Sequence, residues 1–358
     1  MKNNLKLFLI SFAIISALSI FAFRKHSRPT PPVSSNQTSL FDRWSSDTPL
    51  QLTIETDLAT LLENKDEKKK QTASISWSTG DSTTHQMNAN LSPRGKTRLS
   101  ICDFPPLKLK FDKEQLEAAG YAPYKSFKLV THCNDDQQLV LKEYLTYKMY
   151  NQITENSFQV QLAEVTYMDA QNQIAPITRY AIVLENNDEM ADRLGGNRMK
   201  TNGDHLHTID ADQYRLLTVF QYMIGNTDWN LSKSHNIKLV KPTGATAAPI
   251  PVPYDFDFAG IVDAPYAKPH PQLPIQTVTQ RLFQWRGKDA TGFEPTLEVF
   301  KQQKQALFAL CQQSPALDDQ HKTAMMDYLA SFYQLIEEVD RGEDLMAVFQ
   351  QKKKSIAS

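Results

Sequence analysis

Three cysteines in 358 residues are too few for a disulfide scaffold, and they cannot all pair within one chain. Cys102, Cys133 and Cys311 show no metal-type spacing, which excludes a cysteine-built metal site. Charge of one sign is also missing. A formal net charge of −1 leaves no electrostatic footprint for nucleic acid, so no nucleic-acid partner is expected. The two basic clusters do not alter this, because Lys68 to Lys70 closes a mixed-charge loop and Lys352 to Lys354 lies near a terminus; both suit solvated surface. No internal repeat is visible, which excludes a repeat architecture. What remains is an ordinary globular composition, 41% hydrophobic and 22% charged, at a length that suits two or three domains or one two-lobed domain with additions.

The first distinctive segment is N-terminal. Lys2 and Lys6 precede a largely apolar run from Leu7 to Phe23, broken only by serines and followed by Arg24, Lys25, His26 and Arg28. Residues 1–26 therefore suit a signal peptide or a membrane anchor. As a helix at about 1.5 Å per residue the run spans roughly 25 Å, only just enough for a bilayer core, and no clean small-residue cleavage site follows it. Cleavage and anchoring both stay open, and positive charge at both ends gives no orientation. The expectation is an exported protein, periplasmic or membrane-anchored and facing outside the cytoplasm. In such a compartment Cys102 and Cys133, in or beside predicted strands, can form a disulfide, while Cys311 sits in a helical pattern and is expected to be buried and free.

Residues 27–48, rich in Pro, Ser and Thr, read as a flexible linker. A β-rich module follows over 49–112, with LQLTIET, TASISWST, LSICDF and LKLKF separated by turn residues. Over 113–200 the pattern is mixed. A strand at Tyr124 to Thr131 leads to a helix from Gln138 to Ile153, with Leu141, Leu145, Met149 and Ile153 at amphipathic spacing. Two further strands, near Phe158 to Met168 and Thr178 to Leu184, end at Glu185. Residues 201–358 are largely helical, interrupted by one polar stretch. His205 and His207 are the only close histidine pair, and without a third ligand of that type they are expected to be loop residues.

The polar stretch carries the chemistry. Between Gly225 and Gly260 the chain runs GNTDWNLSKSHN, the strand-like IKLV, a connection rich in Pro and Ala, and PYDFDFAG. Alone, Asn226 to Asn230 would make an ordinary polar turn. The following segments read as a strand from His235 to Val240 and its return from Pro253 to Phe258, with carboxylates alternating with aromatics. Carboxylates in such a setting are costly to bury unless paired or metal-bound. Phosphoryl transfer needs a carboxylate for the acceptor hydroxyl, and an amide oxygen with a second carboxylate for Mg²⁺. Asp228, Asn236 and Asp255 supply these in that order, with Asp257 as a second ligand or an orienting partner.

Taken in order, RGK with FPPLKLKF, FKLVTHCNDD with LKEYLTYKMY, YAIVLEN, GNTDWN with HN, and PYDFD resemble the spore-coat CotH kinase family and, more distantly, HipA-like kinases. The resemblance runs from about Arg94 to Gly260. It implies an α+β, two-lobed protein-kinase-like fold with an N-terminal β-rich module and a helical C-terminal part, the N-lobe and hinge falling in 113–200 and the catalytic and metal loops in 201–358. It further implies ATP and Mg²⁺ as cofactors, a strand lysine that is either Lys110 or Lys128, a helix carboxylate Glu143 to orient it, a phosphate-facing turn at Arg94 and a hinge ending at Glu185. The acceptor would be an unidentified protein or envelope component, and the N-terminus would allow contact with a membrane.

One departure stands out. Protein kinases separate the catalytic Asp from the metal-binding Asn by about five positions, whereas Asp228 and Asn236 stand eight apart. Either the loop bulges or Asn230 takes part. His235 reads as a loop or core residue. Scarcity of ATP outside the cytoplasm sets an envelope pseudokinase, acting as a binding or scaffolding module, beside the phosphotransferase. A metal-dependent hydrolase built on Asp255 and Asp257 is a third reading.

Overall fold

The computed structural model describes residues 37–351, apart from 80–82, 135, 200–205, 207, 245 and 288–290. Residues 1–26, expected to be a signal peptide or membrane anchor, most of the expected linker's first half, and both His205 and His207 lie outside the described residues. Among the described residues, no helix is long and apolar enough to cross a membrane.

Seven strands make a closed barrel: β1 (Leu50–Thr56), β2 (Gln71–Thr79), β3 (Thr83–Pro93), β4 (Leu107–Phe111), β5 (Ser126–Val130), β6 (Val160–Asp169) and β7 (Ile177–Leu184). Their order is β1-β2-β3-β4-β5-β7-β6. All neighbours pair antiparallel except β1 and β6, whose parallel register sets Leu52 against Val165 and Ile54 against Tyr167 and closes the ring. Closure removes the exposed edges that an open sheet would present. Period-two alternation along β1 sends Leu50, Leu52 and Ile54 inward and leaves Gln51 and Glu55 outside.

This overturns the expected two-lobed kinase-like fold. The module at 49–112 and the strands of 113–200 are not separate: β4 pairs with β5 across the expected boundary, and β1 pairs with β6. The helical elements that follow pack outside the ring instead of completing a sheet-plus-helix lobe. Part of the expected linker is also structured. Ser39 caps the short helix α1 (Leu40–Trp44) by accepting from the Asp42 amide, and α1 carries Leu40, Phe41 and Trp44 into the barrel core. The Trp44 ring centroid lies 5.2 Å from that of Phe127 and 5.7 Å from that of Trp77. Three large buried rings are worth several kcal/mol of burial each, at about 25 cal/mol per Å² over about 150–250 Å².

Around the barrel lie α2 (Leu58–Glu63), α3 (Thr97–Ile101) and α4 (Lys113–Ala118). Cys102, at the end of α3, is joined by a disulfide to Cys133 after β5. The second core is helical, built from α5 (Gln138–Ile153), α7 (Ala211–Met223), α8 (Glu294–Gln312), α9 (Asp319–Asp340) and α10 (Leu345–Gln351). Between them come α6 (Asn187–Arg193) and a three-stranded sheet of β8 (Gly196–Arg198), β9 (Ile237–Pro242) and β10 (Ile250–Pro253), ordered β10-β9-β8. Pro251 and Pro253 are tolerated in β10 because it is an edge strand. Leu141, Leu145, Met149 and Ile153 of α5 are buried as their spacing predicts, but so are Lys142, Glu143, Tyr147 and Tyr150, because α5 packs on β6 and β7 as well as on α8. Cys311 is buried in α8 and free, and burial pushes its thiol up to about 12.

Candidate active site

The polar stretch is folded by its own turn residues. α7 ends at Met223 with Ile224 as its cap, and Gly225 follows with φ +67, where a Cβ would meet the Tyr328 hydroxyl at 2.0 Å. The glycine therefore serves both conformation and close approach. The Gly260 amide donates to the Gly225 carbonyl at 3.2 Å and the Ile261 amide to the Ile224 carbonyl at 3.0 Å, so the two ends of the stretch are fastened together.

Asn226 Oδ1 accepts from the Asp228 amide at 2.9 Å, an Asx-type turn that presents the Asp228 side chain. Buried Trp229 anchors the next residue against Tyr214. Asn230 and His235 then exchange backbone hydrogen bonds of 3.0 and 2.9 Å, and Asn230 Oδ1 accepts from the Lys233 amide at 2.9 Å. This bulge accommodates the additional residues. Asn230 closes it, and Asn236 arrives beside Asp228. Asn236, with φ +53, donates from Nδ2 to the Asp228 carbonyl at 2.8 Å and to Asp228 Oδ2 at 3.0 Å. His235 Nε2 donates to Asp228 Oδ1 at 2.8 Å, so a residue read as a loop or core histidine holds the other carboxylate oxygen.

The return strand stops at Pro253, earlier than the alternation predicts. Asp255 adopts φ +70, and its amide donates to the Tyr147 hydroxyl of α5 at 2.7 Å. Phe256 is fully buried, 4.6 Å from Tyr147 between ring centroids, which fixes the carboxylates on either side of it. Asp257 is 6% exposed and accepts from the Tyr266 hydroxyl at 3.2 Å.

Asp228, Asn236, Asp255 and Asp257 line one cleft, with Arg94 and Arg98 opposite them on the barrel side. Its volume is about 150 Å³. Arg98 is buried, donates to the Thr131 carbonyl and lies 3.5 Å from Glu143 of α5. Glu143 was expected to orient a strand lysine; its partner is Arg98. The sequence signal for it is that RGK continues as RGKTR, which sets a second arginine four positions beyond Arg94.

No family model matches the chain, and no curated protein does.

The electrostatics of the cleft are lopsided. Burial raises Glu143 well above the carboxylate range, and the neighbouring charges of Asp257 and Asp255 outweigh the help from Arg98. Burial, then the charge of Asp255, pushes Asp257 up to about 7 despite Arg98 and the Tyr266 hydrogen bond. Burial opposes the charge on Arg98, yet Tyr266, Glu143, Asp257 and Asp255 together hold its pKa above the ordinary value. Three carboxylates thus share one buried cation. The Asp255 carboxylate and Asn236 Oδ1 make no hydrogen bond to the described residues, while the Asn236 amide nitrogen is held by Asp228. The carboxylates of Asp255 and Asp257 with the free Asn236 oxygen are hard oxygen donors on one cleft, a set that fits Mg²⁺, which takes one or two carboxylates and leaves other positions to phosphate and water. Among the described residues, no group of three or more His, Cys, Asp or Glu side chains is placed to hold a metal ion.

Neither strand lysine lines the cleft, but Lys128 interacts electrostatically with Arg94 and Asp255, which do. Its ammonium sits 4.1 Å from the Tyr254 ring centroid, with Lys238 at 4.9 Å from the same ring. Burial, then the nearby Arg94, pushes Lys128 down to about 7, with Asp255 acting in the opposite sense. Lys110 stands opposite Ser126 on β4 and does not line the cleft. Glu185 is not brought to the cleft either. Its carboxylate accepts from Arg193 Nε at 2.7 Å and Nη2 at 2.9 Å, and from the Gln159 amide at 2.9 Å, an ion pair that ties α6 to the end of β7.

Proposed function

We propose that the chain is an ATP-dependent phosphotransferase of the CotH-like type, acting with Mg²⁺ on an acceptor hydroxyl outside the cytoplasm. The observation that carries this reading is the convergence of Asp228, Asn236, Asp255 and Asp257 on one cleft that also receives Arg94 and Arg98. In this reading Asn236, Asp255 and Asp257 hold the metal, which neutralises phosphate charge when bound. Asp228, fixed by His235 and Asn236, orients the acceptor hydroxyl and takes its proton. The acceptor oxygen forms a bond to the γ-phosphorus, the bond to the bridging oxygen breaks, and ADP leaves with that electron pair. Arg94, Arg98 and Lys128 supply the positive field, and most of the rate gain comes from position and charge.

A cavity of about 150 Å³ is smaller than the roughly 300–1,000 Å³ that encloses a drug-sized ligand, so it takes the phosphate end while the nucleoside lies outside it. Thermal-shift titration separates this reading from a scaffolding role. Mg·ATP should raise Tm by an amount that grows with ligand concentration, and Asp255→Asn should remove the Mg²⁺ dependence of that rise. No shift over a wide range of Mg·ATP would favour the scaffold.

A further inference from the structure

A second and larger cavity, about 440 Å³, lies away from the cleft and shares none of its lining residues. It opens between the barrel wall, α5 and α8. Leu145 and Leu162 form its floor, and Ala306 and Ala309 on α8 leave the space that longer side chains would fill. The volume falls within the range of roughly 300–1,000 Å³ of small-molecule sites, which are mostly apolar with a few polar groups that fix orientation.

The one charged residue that lines the cavity is acidic. No lysine, arginine or histidine lines the cavity, whereas Asp47 does. Asp47 forms no ion pair or hydrogen bond with the described residues, and the hydroxyls of Tyr144 and Tyr180, which also line the cavity, make no hydrogen bond to them. Burial, then the charge of Asp47, raises the Tyr144 phenol above its ordinary range, and both residues line the one cavity. A cavity lined by one carboxylate and two aromatic rings, with no cation among its lining residues, is a setting for an organic cation, and the apolar floor suits the hydrocarbon attached to it.

We propose that this cavity binds an apolar amine, its ammonium held by Asp47 with Tyr144 and Tyr180 and its hydrocarbon part seated between Leu145, Leu162 and Ala309. The inference does not depend on the chemistry of the cleft.

The test compares tryptamine with indole-3-propionate on the full chain by titration calorimetry, since the two share a ring and differ in the sign of the charge. Tryptamine should bind saturably and the acid should not. Ala309→Trp should abolish the binding by filling the space, and Asp47→Asn, at an exposed position with no ion pair or hydrogen bond among the described residues, should weaken it about fivefold. The proposal is overturned if neither probe binds, if the acid binds as tightly as the amine, or if tryptamine binding is indifferent to Asp47→Asn. Should Ala309→Trp fail to fold, Asp47→Asn alone decides.

Discussion

Asn236 Nδ2 lies 3.0 Å from Asp228 Oδ2, although a bulge closed by Asn230 and His235 separates the two residues in the chain. The same nitrogen reaches the Asp228 carbonyl at 2.8 Å, so Asn236 fixes the backbone and the side chain of Asp228 and keeps its own oxygen for the cleft. Asn236→Ala removes a metal donor and the support of the acceptor carboxylate together. Because small displacements of reacting groups are costly, kcat for phosphoryl transfer should fall by at least about a hundredfold. Steady-state kinetics at saturating Mg·ATP checks this, and Asn236→Asp, which restores an oxygen donor but not the amide, should recover only part of the loss.

The buried pair of Arg98 and Glu143 is asymmetric. Arg98 faces Glu143, Asp257 and Asp255, so Arg98→Met leaves crowded carboxylates without their buried cation and should cost about 3–5 kcal/mol of stability. Glu143→Gln removes one of the competing charges while keeping the shape, and its cost should be far smaller. Urea denaturation of the two variants measures the difference. Equal losses would mean that Glu143 is ionised and indispensable to the pair.

Glu189 offers a pH test remote from the cleft. Burial, with added repulsion from Glu185 and Asp42, pushes its carboxyl from 4.5 up to about 8. The folded state then holds a proton that the unfolded state has released between those values, so this group makes stability fall as pH rises from about 4.5 to about 8, after which its effect is constant. Glu189→Gln should flatten that slope and stabilise the protein at pH 8 more than at pH 5. Denaturant midpoints at the two pH values provide the measurement.

The cleft was legible because its acidic residues flank a local hairpin. Strand alternation in IKLV, the turn residues around Asp228 and the aromatics around Asp255 and Asp257 all lie within one short stretch, where sequence neighbours become spatial neighbours. The disulfide was legible for a similar reason, since Cys102 and Cys133 bracket two strands that pair directly. The barrel was not. Its closure depends on Leu50 meeting Ala163 in parallel, a pairing between distant segments that leaves no local periodic mark. Trp44 was hidden by a Pro-, Ser- and Thr-rich context, and its burial follows from the barrel core that receives it. Arg98 went unnoticed because its partners, Thr131 and Glu143, come from two other elements.

The most direct measurement is transfer of label from γ-labelled ATP to an envelope extract by the purified protein and by its Asp228→Ala variant in Mg²⁺. The account predicts an acid-stable labelled acceptor with the parent protein, and loss of that label with the variant although its fold and Tm are retained. Equal labelling by the two proteins would contradict the role given to Asp228 and, with it, the phosphotransfer reading of the cleft.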